Sequence, residues 1–330
     1  MNKPKARQSL PHAVNLAVDL EPGLVVATYG RHCLVETPEG RRLICHPRGK
    51  KNQVVVGDQV LWQITGDEGS IEKLQERRNL FYRQDEIRTK SFAANLDRVL
   101  ILIAAEPEYS ESQLSRALVA AEAERIQPII ALNKSDLAQP FAQAWARLAP
   151  YRAMGYSVVP ISLSPRSPVV EDGVADLCAQ LQGLTTLVLG PSGSGKSTLI
   201  NRLVPNALVE TGEISLALNS GKHTTTSTRW YWVPALDKMA QTGLVRGALI
   251  DSPGFQEFGL NHIEPTRLAD CMPDLRRHLG GCKFYNCTHL HEPGCAVLAQ
   301  VESAQNLGTI SVRRHRIYAQ LFEELGQKRW

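Results

Sequence analysis

Residues Gly190-Pro-Ser-Gly-Ser-Gly-Lys-Ser-Thr198 follow the apolar run Leu184 to Leu189 and precede a helical run, Leu199 to Leu203. This is G-x-x-x-x-G-K-[ST] between a strand and a helix, the setting that a phosphate-cradling loop requires. Glycines let the backbone turn its N–H groups onto phosphate oxygens. Lys196 supplies a fixed cation, and Ser197 offers a hydroxyl to Mg²⁺. The helix that follows adds its positive end. Gly190, Pro191, Ser192, Gly193, Ser194, Gly195, Lys196, Ser197 and Thr198 are therefore all expected at a bound nucleotide.

A second stretch, Asn133-Lys134-Ser135-Asp136, lies at the carboxyl end of the apolar run Pro128-Ile-Ile-Ala-Leu. A carboxylate such as Asp136 can accept from the N1–H and exocyclic amine of guanine. Adenine offers no such donor pair, so the contact selects the base. Asn133 can bridge the purine edge and the phosphate loop, and the Lys134 stem can cover the ring. Ser162, at the end of the next predicted strand, occupies the place of a second base-contacting loop.

Two further segments fit the outer phosphate. Gly221-Lys-His-Thr-Thr-Thr226 supplies hydroxyls, with Thr225 a candidate Mg²⁺ ligand beside Thr224 and Thr226, in a loop that could order around a γ-phosphate. Asp251-Ser-Pro-Gly254 puts a carboxylate near the Mg²⁺ shell and the Gly254 N–H near the γ-phosphate. The order is unusual: ordinary small GTPases place Asn-Lys-x-Asp last, and here it comes first. The same site can form if the domain is circularly permuted, and the Asp251 segment then leads directly into the C-terminal region.

A different chemistry follows. Cys282-x₄-Cys287-x-His289-x₅-Cys295 offers three thiolates and one imidazole in one short loop. Four protein ligands make a closed, structural Zn²⁺ site and leave no open position for catalysis. His291 is a competing ligand, and Cys271 reads as core.

The elements that must position these residues fall into blocks. Residues 1–20 read as a basic, disordered tail. Residues 21–90 show short alternating strands and turn signals, predicting an OB-fold β-barrel and its linker. Arg41, Arg42, Arg48, Lys50 and Lys51 cluster on one connection, and Arg77, Arg78, Arg83, Arg88 and Lys90 follow the barrel, so RNA contact is expected there. Residues 91–260 alternate strand and helix: strands at Arg98 to Ala104, Pro128 to Leu132, Tyr156 to Ile161 and Leu244 to Ile250, and helices at Glu111 to Arg125, Phe141 to Met154 and Val174 to Leu181. That pattern predicts a largely parallel sheet with ligands outside the strands' carboxyl ends. Residues 261–330 form the metal-binding, mostly helical module. Its last helix, from Ser311, carries Arg313, Arg314 and Arg316, all expected to be available to RNA.

Composition narrows the classes. The 330-residue chain is 43% apolar and 21% charged with a net charge of +4, which fits a globular protein and excludes a fibrous or strongly acidic one. No apolar run approaches the ~18 residues of a membrane span. Seven cysteines, an odd number unevenly placed, argue for a reduced compartment, so the cytoplasm is expected.

Taken together, Asn133 to Asp136, Gly190 to Thr198, Lys222 to Thr226, Asp251 to Phe255 and the Cys282–Cys295 loop make the chain resemble the ribosome small subunit-dependent GTPases, the RsgA (YjeQ/EngC) family. The resemblance spans nearly the whole chain. It implies a cytoplasmic, monomeric GTPase that converts GTP to GDP with Mg²⁺, carries one structural Zn²⁺, and binds the 30S subunit and its 16S rRNA late in maturation, with turnover stimulated by the particle. Phe255 stands after Asp-x-x-Gly where a water-orienting glutamine is common. In the family a histidine before the threonine run is its proposed substitute, here His223, making His223, Lys196 and Gly254 the catalytic candidates. The alternative class is a GTP-regulated RNA-binding module in which hydrolysis is incidental.

Overall fold

The computed structural model describes residues 20–48, 54–85, 89–164, 170–204, 207, 228–240, 243–252, 258–302 and 308–327. His223, Thr225, Gly254, Lys50, Lys51 and Arg88 lie outside the described residues.

The first five strands are β1 (Glu21–Tyr29), β2 (His32–Glu36), β3 (Arg42–Pro47), β4 (Gln59–Thr65) and β5 (Glu68–Leu74). They pair in the order β1-β2-β3-β5-β4, and β4 closes back onto β1. The one parallel step is β3 with β5. This is an OB-like five-stranded barrel. Alternate residues fill it: Val25, Cys33, Val35, Cys45, Val60 and Ile71 pack around a fully buried Trp62.

Where the sequence predicts a linker, a hairpin follows: β6 (Leu80–Gln84) and β7 (Thr89–Ala94). Its Phe81 and Phe92 enclose Phe258, the first described residue after the Asp251 segment. Gln84 N–H donates to the Gly259 carbonyl at 3.1 Å, and Asn261 N–H to the Gln84 carbonyl at 3.0 Å.

The α/β region contributes β8 (Arg98–Ala104), β9 (Gln127–Asn133), β10 (Ser157–Pro160), β11 (Thr185–Leu189), β12 (Arg229–Trp232) and β15 (Ala248–Asp251), with a small hairpin of β13 (Lys238–Ala240) and β14 (Gly243–Val245) between the last two. The order is β10-β9-β8-β11-β15-β12; the first five strands run parallel and β12 antiparallel. The expected single strand Leu244–Ile250 is split at Gly247, which passes close against Leu236 and whose N–H donates to Asp237 Oδ1 at 2.9 Å. The expected helix from Phe141 is likewise two: α2 (Ala138–Arg147) and α3 (Ala149–Ala153), interrupted at Leu148, where Pro150 opens the second. The remaining helices of this region are α1 (Glu111–Ala123), α4 (Val170–Leu181) and α5 (Lys196–Leu203).

Strand period sorts the sheet's two faces. Leu100 and Leu102 of β8 join Leu177 and Leu181 of α4 and Leu199 of α5. Ile101 and Ile103 point the other way and join Leu114 and Leu118 of α1 and the C-terminal Tyr318 and Leu321. One register pair, Ala27 with Arg229, joins β1 to β12 and so makes the barrel continuous with the parallel sheet.

Beyond Phe258 the described chain forms short helical turns and then one long helix, Val312–Gly326, capped by Ser311, whose side chain accepts from Arg314 N–H. That helix sits on the metal loop: Tyr318 Oη donates to the Thr288 carbonyl and His315 Nε2 to the His289 carbonyl, both at 2.8 Å. Arg314, expected to be open to RNA, is instead buried. Its guanidinium donates to both Asp274 carboxylate oxygens at 2.9 and 3.1 Å and to Ser115 Oγ at 2.7 Å. A helix exposes only part of its circumference, and Arg314 shares its stripe with Ile317, Tyr318 and Leu321. Arg313 and Arg316 lie on the exposed side.

Candidate functional site

The candidate residues lie at the carboxyl ends of β9, β10, β11 and β15, where a parallel sheet leaves a crevice. Register explains why. β11 lies between β8 and β15, and Val188 pairs with Asp251. β9 ends with Asn133 opposite Ala104 of β8. Residues far apart in sequence thus end at one edge.

The loop after β11 turns through Gly193 and Gly195, both at positive φ, +81° and +99°. A Cβ on Gly195 would come within 2.4 Å of Asn133 Nδ2. Gly195 is the N-cap of α5 and provides no side-chain cap. The helix's first N–H groups are therefore left for a ligand, and an anion suits them.

Asn133 ties three segments together. It is buried; its Nδ2 donates to the Ser194 carbonyl at 2.9 Å, and its Oδ1 accepts from Lys134 N–H at 2.7 Å and Leu163 N–H at 3.1 Å. Lys134 adopts φ +68°, turning the chain sharply out of β9. Ser162 Oγ donates to Asp136 Oδ1 at 2.6 Å, fixing the carboxylate that sequence reasoning assigned to the base. Ser135 N–H donates to the Ile161 carbonyl at 3.1 Å.

These residues line one cleft of about 730 Å³, a size within the ~300–1,000 Å³ typical of small-molecule sites. Its wall holds Asn133, Lys134 and Asp136 at one end and Gly190 to Gly193 and Gly195 to Thr198 at the other. Ser194 is buried beneath the loop. Leu163, which stands with Ser162 at the place expected for a second base-contacting loop, also lines the cleft, as do Leu137 and Ser164, whose only signal in the sequence is that each adjoins a recognised stretch. Lys196 Nζ is bonded to Asp251 Oδ1, so a candidate phosphate cation and a candidate Mg²⁺ ligand face each other. Ser197 is exposed at the cleft.

The basic residues predicted to contact RNA separate on inspection. Arg77 pairs with buried Asp58 at 2.7 Å, Arg48 with Glu72 at 2.7 Å, Arg42 with Glu36 at 2.8 Å and Arg78 with Asp97 at 2.7 Å. Arg77 braces the barrel's Val55–Asp58 turn and does not project as an open cation. Arg41 is exposed on the β2–β3 turn, and Lys90 lies 5.7 Å from the Phe92 ring centroid.

The second site is the metal loop. The ligand atoms of Cys282, Cys287, His289 and Cys295 all lie within 4.8 Å of one another, and the set could hold one metal ion. Cys282 Sγ and Cys295 Sγ are 3.9 Å apart, and each lies 3.5 Å from His289 Nδ1. The candidate competitor His291 is not part of the cluster. His289 takes φ +62°, which turns its ring inward. Glu292 organises the turn, accepting from Thr288 N–H at 2.7 Å, from the Thr288 hydroxyl, and from Leu290 N–H at 3.2 Å. Burial would raise the Glu292 carboxyl, but hydrogen bonds from the Thr288 hydroxyl and the Thr288, Glu292 and His291 N–H groups outweigh it and hold the group well below the usual carboxylate range.

The sequence matches the RsgA GTPase family over residues 74–261. It is 67% identical to the small ribosomal subunit biogenesis GTPase RsgA of Variovorax paradoxus (strain S110) over 311 residues, 94% of each chain. It is 52% identical to the protein of that name from Paraburkholderia xenovorans (strain LB400), over 92% of this chain and 93% of the relative. Among solved structures it resembles YloQ, described as a circularly permuted GTPase, with 26% identity, a TM-score of 0.66, and coverage of 96% of this chain and 99% of that one. YjeQ from Thermotoga maritima gives 26% identity and a TM-score of 0.69 over 94% of this chain and all of that one.

Proposed function

This chain belongs to the RsgA GTPase family, and from that premise we propose that it hydrolyses GTP to GDP as a late maturation factor of the 30S ribosomal subunit, which stimulates the reaction. The observation that carries the nucleotide reading is the Asn133 side chain, which joins the Asn-Lys-Ser-Asp stretch, the phosphate loop and the Ser162 segment into one cleft. Asp136, held by Ser162, selects guanine. Lys196 and the N–H groups at the start of α5 take the phosphates.

Mg²⁺, when bound with GTP, would be held by Ser197, with Asp251 and Thr225 as further candidates, and would neutralise charge on the outer phosphates. Asp251, which pairs with Lys196, would offer its carboxylate to the ion. His223 is assigned to orient the attacking water, since Phe255 cannot. In the second site we assign Zn²⁺. A tetrahedral ion bonded at ~2.3 Å to sulfur and ~2.0–2.1 Å to nitrogen separates sulfurs by about 3.8 Å and sulfur from nitrogen by about 3.5 Å. The distances of 3.9 and 3.5 Å among Cys282, Cys295 and His289 fit that ion, and the fourth ligand, Cys287, lies within 4.8 Å of the other three. Its part is structural, holding the loop against the C-terminal helix. The working compartment is the cytoplasm, where the subunit and its 16S rRNA are.

The test is steady-state hydrolysis with purified small subunits. Slow GTP turnover that rises with 30S particles, and with neither 50S particles nor ATP as substrate, is expected. Turnover indifferent to 30S particles would overturn the stimulated-GTPase reading.

A further inference from the structure

We propose that Phe284 and Tyr285, on the outer turn of the metal loop, form a stacking platform for an unpaired RNA base, with Lys283 beside them for the phosphate backbone. The proposal rests on the small-subunit reading above and names the surface that reading lacks.

The two metal-ligand positions Cys282 and Cys287 bracket Lys283-Phe284-Tyr285-Asn286, and all four residues between them are exposed. Tyr285 is fully exposed, at 108% of its reference area, and Phe284 is at 41%. A ring that leaves all its surface in water adds nothing to the core and is free to meet a partner. The turn itself is fixed. Lys283 N–H donates to the Gly294 carbonyl at 3.1 Å, and Cys287 N–H to the Phe284 carbonyl at 3.3 Å. Both ends are ligand positions, so the rings are presented without a large ordering cost on contact.

Charge and size select the occupant. Lys283 Nζ lies 5.6 Å from the Phe284 ring centroid. Lys283 is the cation carried by this turn, since Arg276 is paired with Glu122 at 3.0 Å and Arg277 donates to the Met154 carbonyl at 2.9 Å. Two rings and a lysine fall well short of the roughly 1,000 Å² that a specific protein interface needs. They match the face of one base, where stacking acts without reading sequence and a nearby cation takes the backbone. A base held in a duplex has no free face, so the partner segment is a loop, bulge or single strand.

The test compares the unaltered chain with Tyr285→Ala, Tyr285→Phe and Tyr285→Trp. Each is titrated with purified small subunits and with protein-free small-subunit rRNA. Tyr285→Ala is expected to weaken both affinities by at least roughly 5-fold, the low end of one lost base stack. Phe and Trp should restore binding, and metal content and 30S-free GTP hydrolysis should not move. Equal binding by Tyr285→Ala overturns the proposal. So does a loss in Tyr285→Phe as large as in Ala, which would assign the contact to the hydroxyl. A loss with whole subunits but not with bare rRNA would assign it to a ribosomal protein. Failure of the unaltered chain to bind either partner would sink the small-subunit reading as well, whereas loss confined to no variant sinks this proposal alone.

Discussion

The cleft proposed for the nucleotide draws Asn133, Ser162, Lys196 and Asp251 from the ends of four strands, spread over more than a hundred residues. The metal cluster draws its ligands from the single loop Cys282–Cys295. The first is held by the sheet: hydrogen bonds such as Asn133 to Ser194 exist only because β9 and β11 flank β8. The second carries its own constraints, with Glu292 tying the turn and His289 twisted inward. A distributed site depends on the global fold and tolerates an empty cleft. A local site depends on its ion, because a short loop has little core of its own.

The comparison is tested first by taking the metal away. Chelation, or Cys282→Ser, should unfold the Cys282–Cys295 loop and undock the C-terminal helix, while the cleft keeps its guanine-nucleotide affinity. Amide exchange of residues 275–320 beside a GTP titration would measure both. Loss of nucleotide binding in step with the metal would mean that the two sites are one unit.

The joint between the regions comes next. Arg314 bonds Asp274 of the metal module and Ser115 of α1, and its guanidinium lies 5.2 Å from the Tyr151 ring centroid. Burial alone would lower the arginine's proton affinity, but the Asp274 carboxylate more than offsets it, so the group stays charged. Arg314→Ala leaves Asp274 buried without its cation and should cost about 3–5 kcal/mol. The denaturant midpoint of the full chain would show this, with the slope unchanged. A loss under about 1 kcal/mol would show that the joint is not tight.

The smallest change is confined to the cleft. Asp136→Asn should reduce the preference for GTP over ATP by about 100-fold with little effect on stability, because it alters acceptors at the rim and not the sheet. Competition binding of the two nucleotides reads it, and an unaltered preference would remove Asp136 from base recognition.

Different parts of the molecule were legible in the sequence to different degrees. The P-loop, Asn-Lys-x-Asp and the cysteine cluster could be read because each packs its chemistry into a short stretch with few alternative uses. The parallel strands from Arg98, Pro128, Tyr156 and Leu184 were legible as apolar runs, and their boundaries moved by only a residue or two, whereas the run Leu244–Ile250 split and the antiparallel β12 was not foreseen. The β6–β7 hairpin was not, because Leu80–Gln84 and Thr89–Ala94 are short and charged, and their apolar partner, Phe258, comes more than 160 residues later. Arg314 was misjudged for a related reason. Type and spacing placed it on a basic helix, while burial depended on Asp274 and Ser115 arriving from elsewhere.

The sequence by itself determined which chemistries this protein carries, since a lysine after a glycine loop, a carboxylate after Asn-Lys, and three thiolates with an imidazole have those capacities wherever the chain puts them. It also determined the permuted order, which is a property of the string. Tertiary structure alone decided which charges are spent inside the molecule and which face outward. Arg77 and Arg314 are consumed by buried carboxylates, while Lys283 and Tyr285 project from a fixed turn. The physical reason is that burial and pairing are relations between distant segments, set by strand order and packing, and no window of the sequence contains both partners.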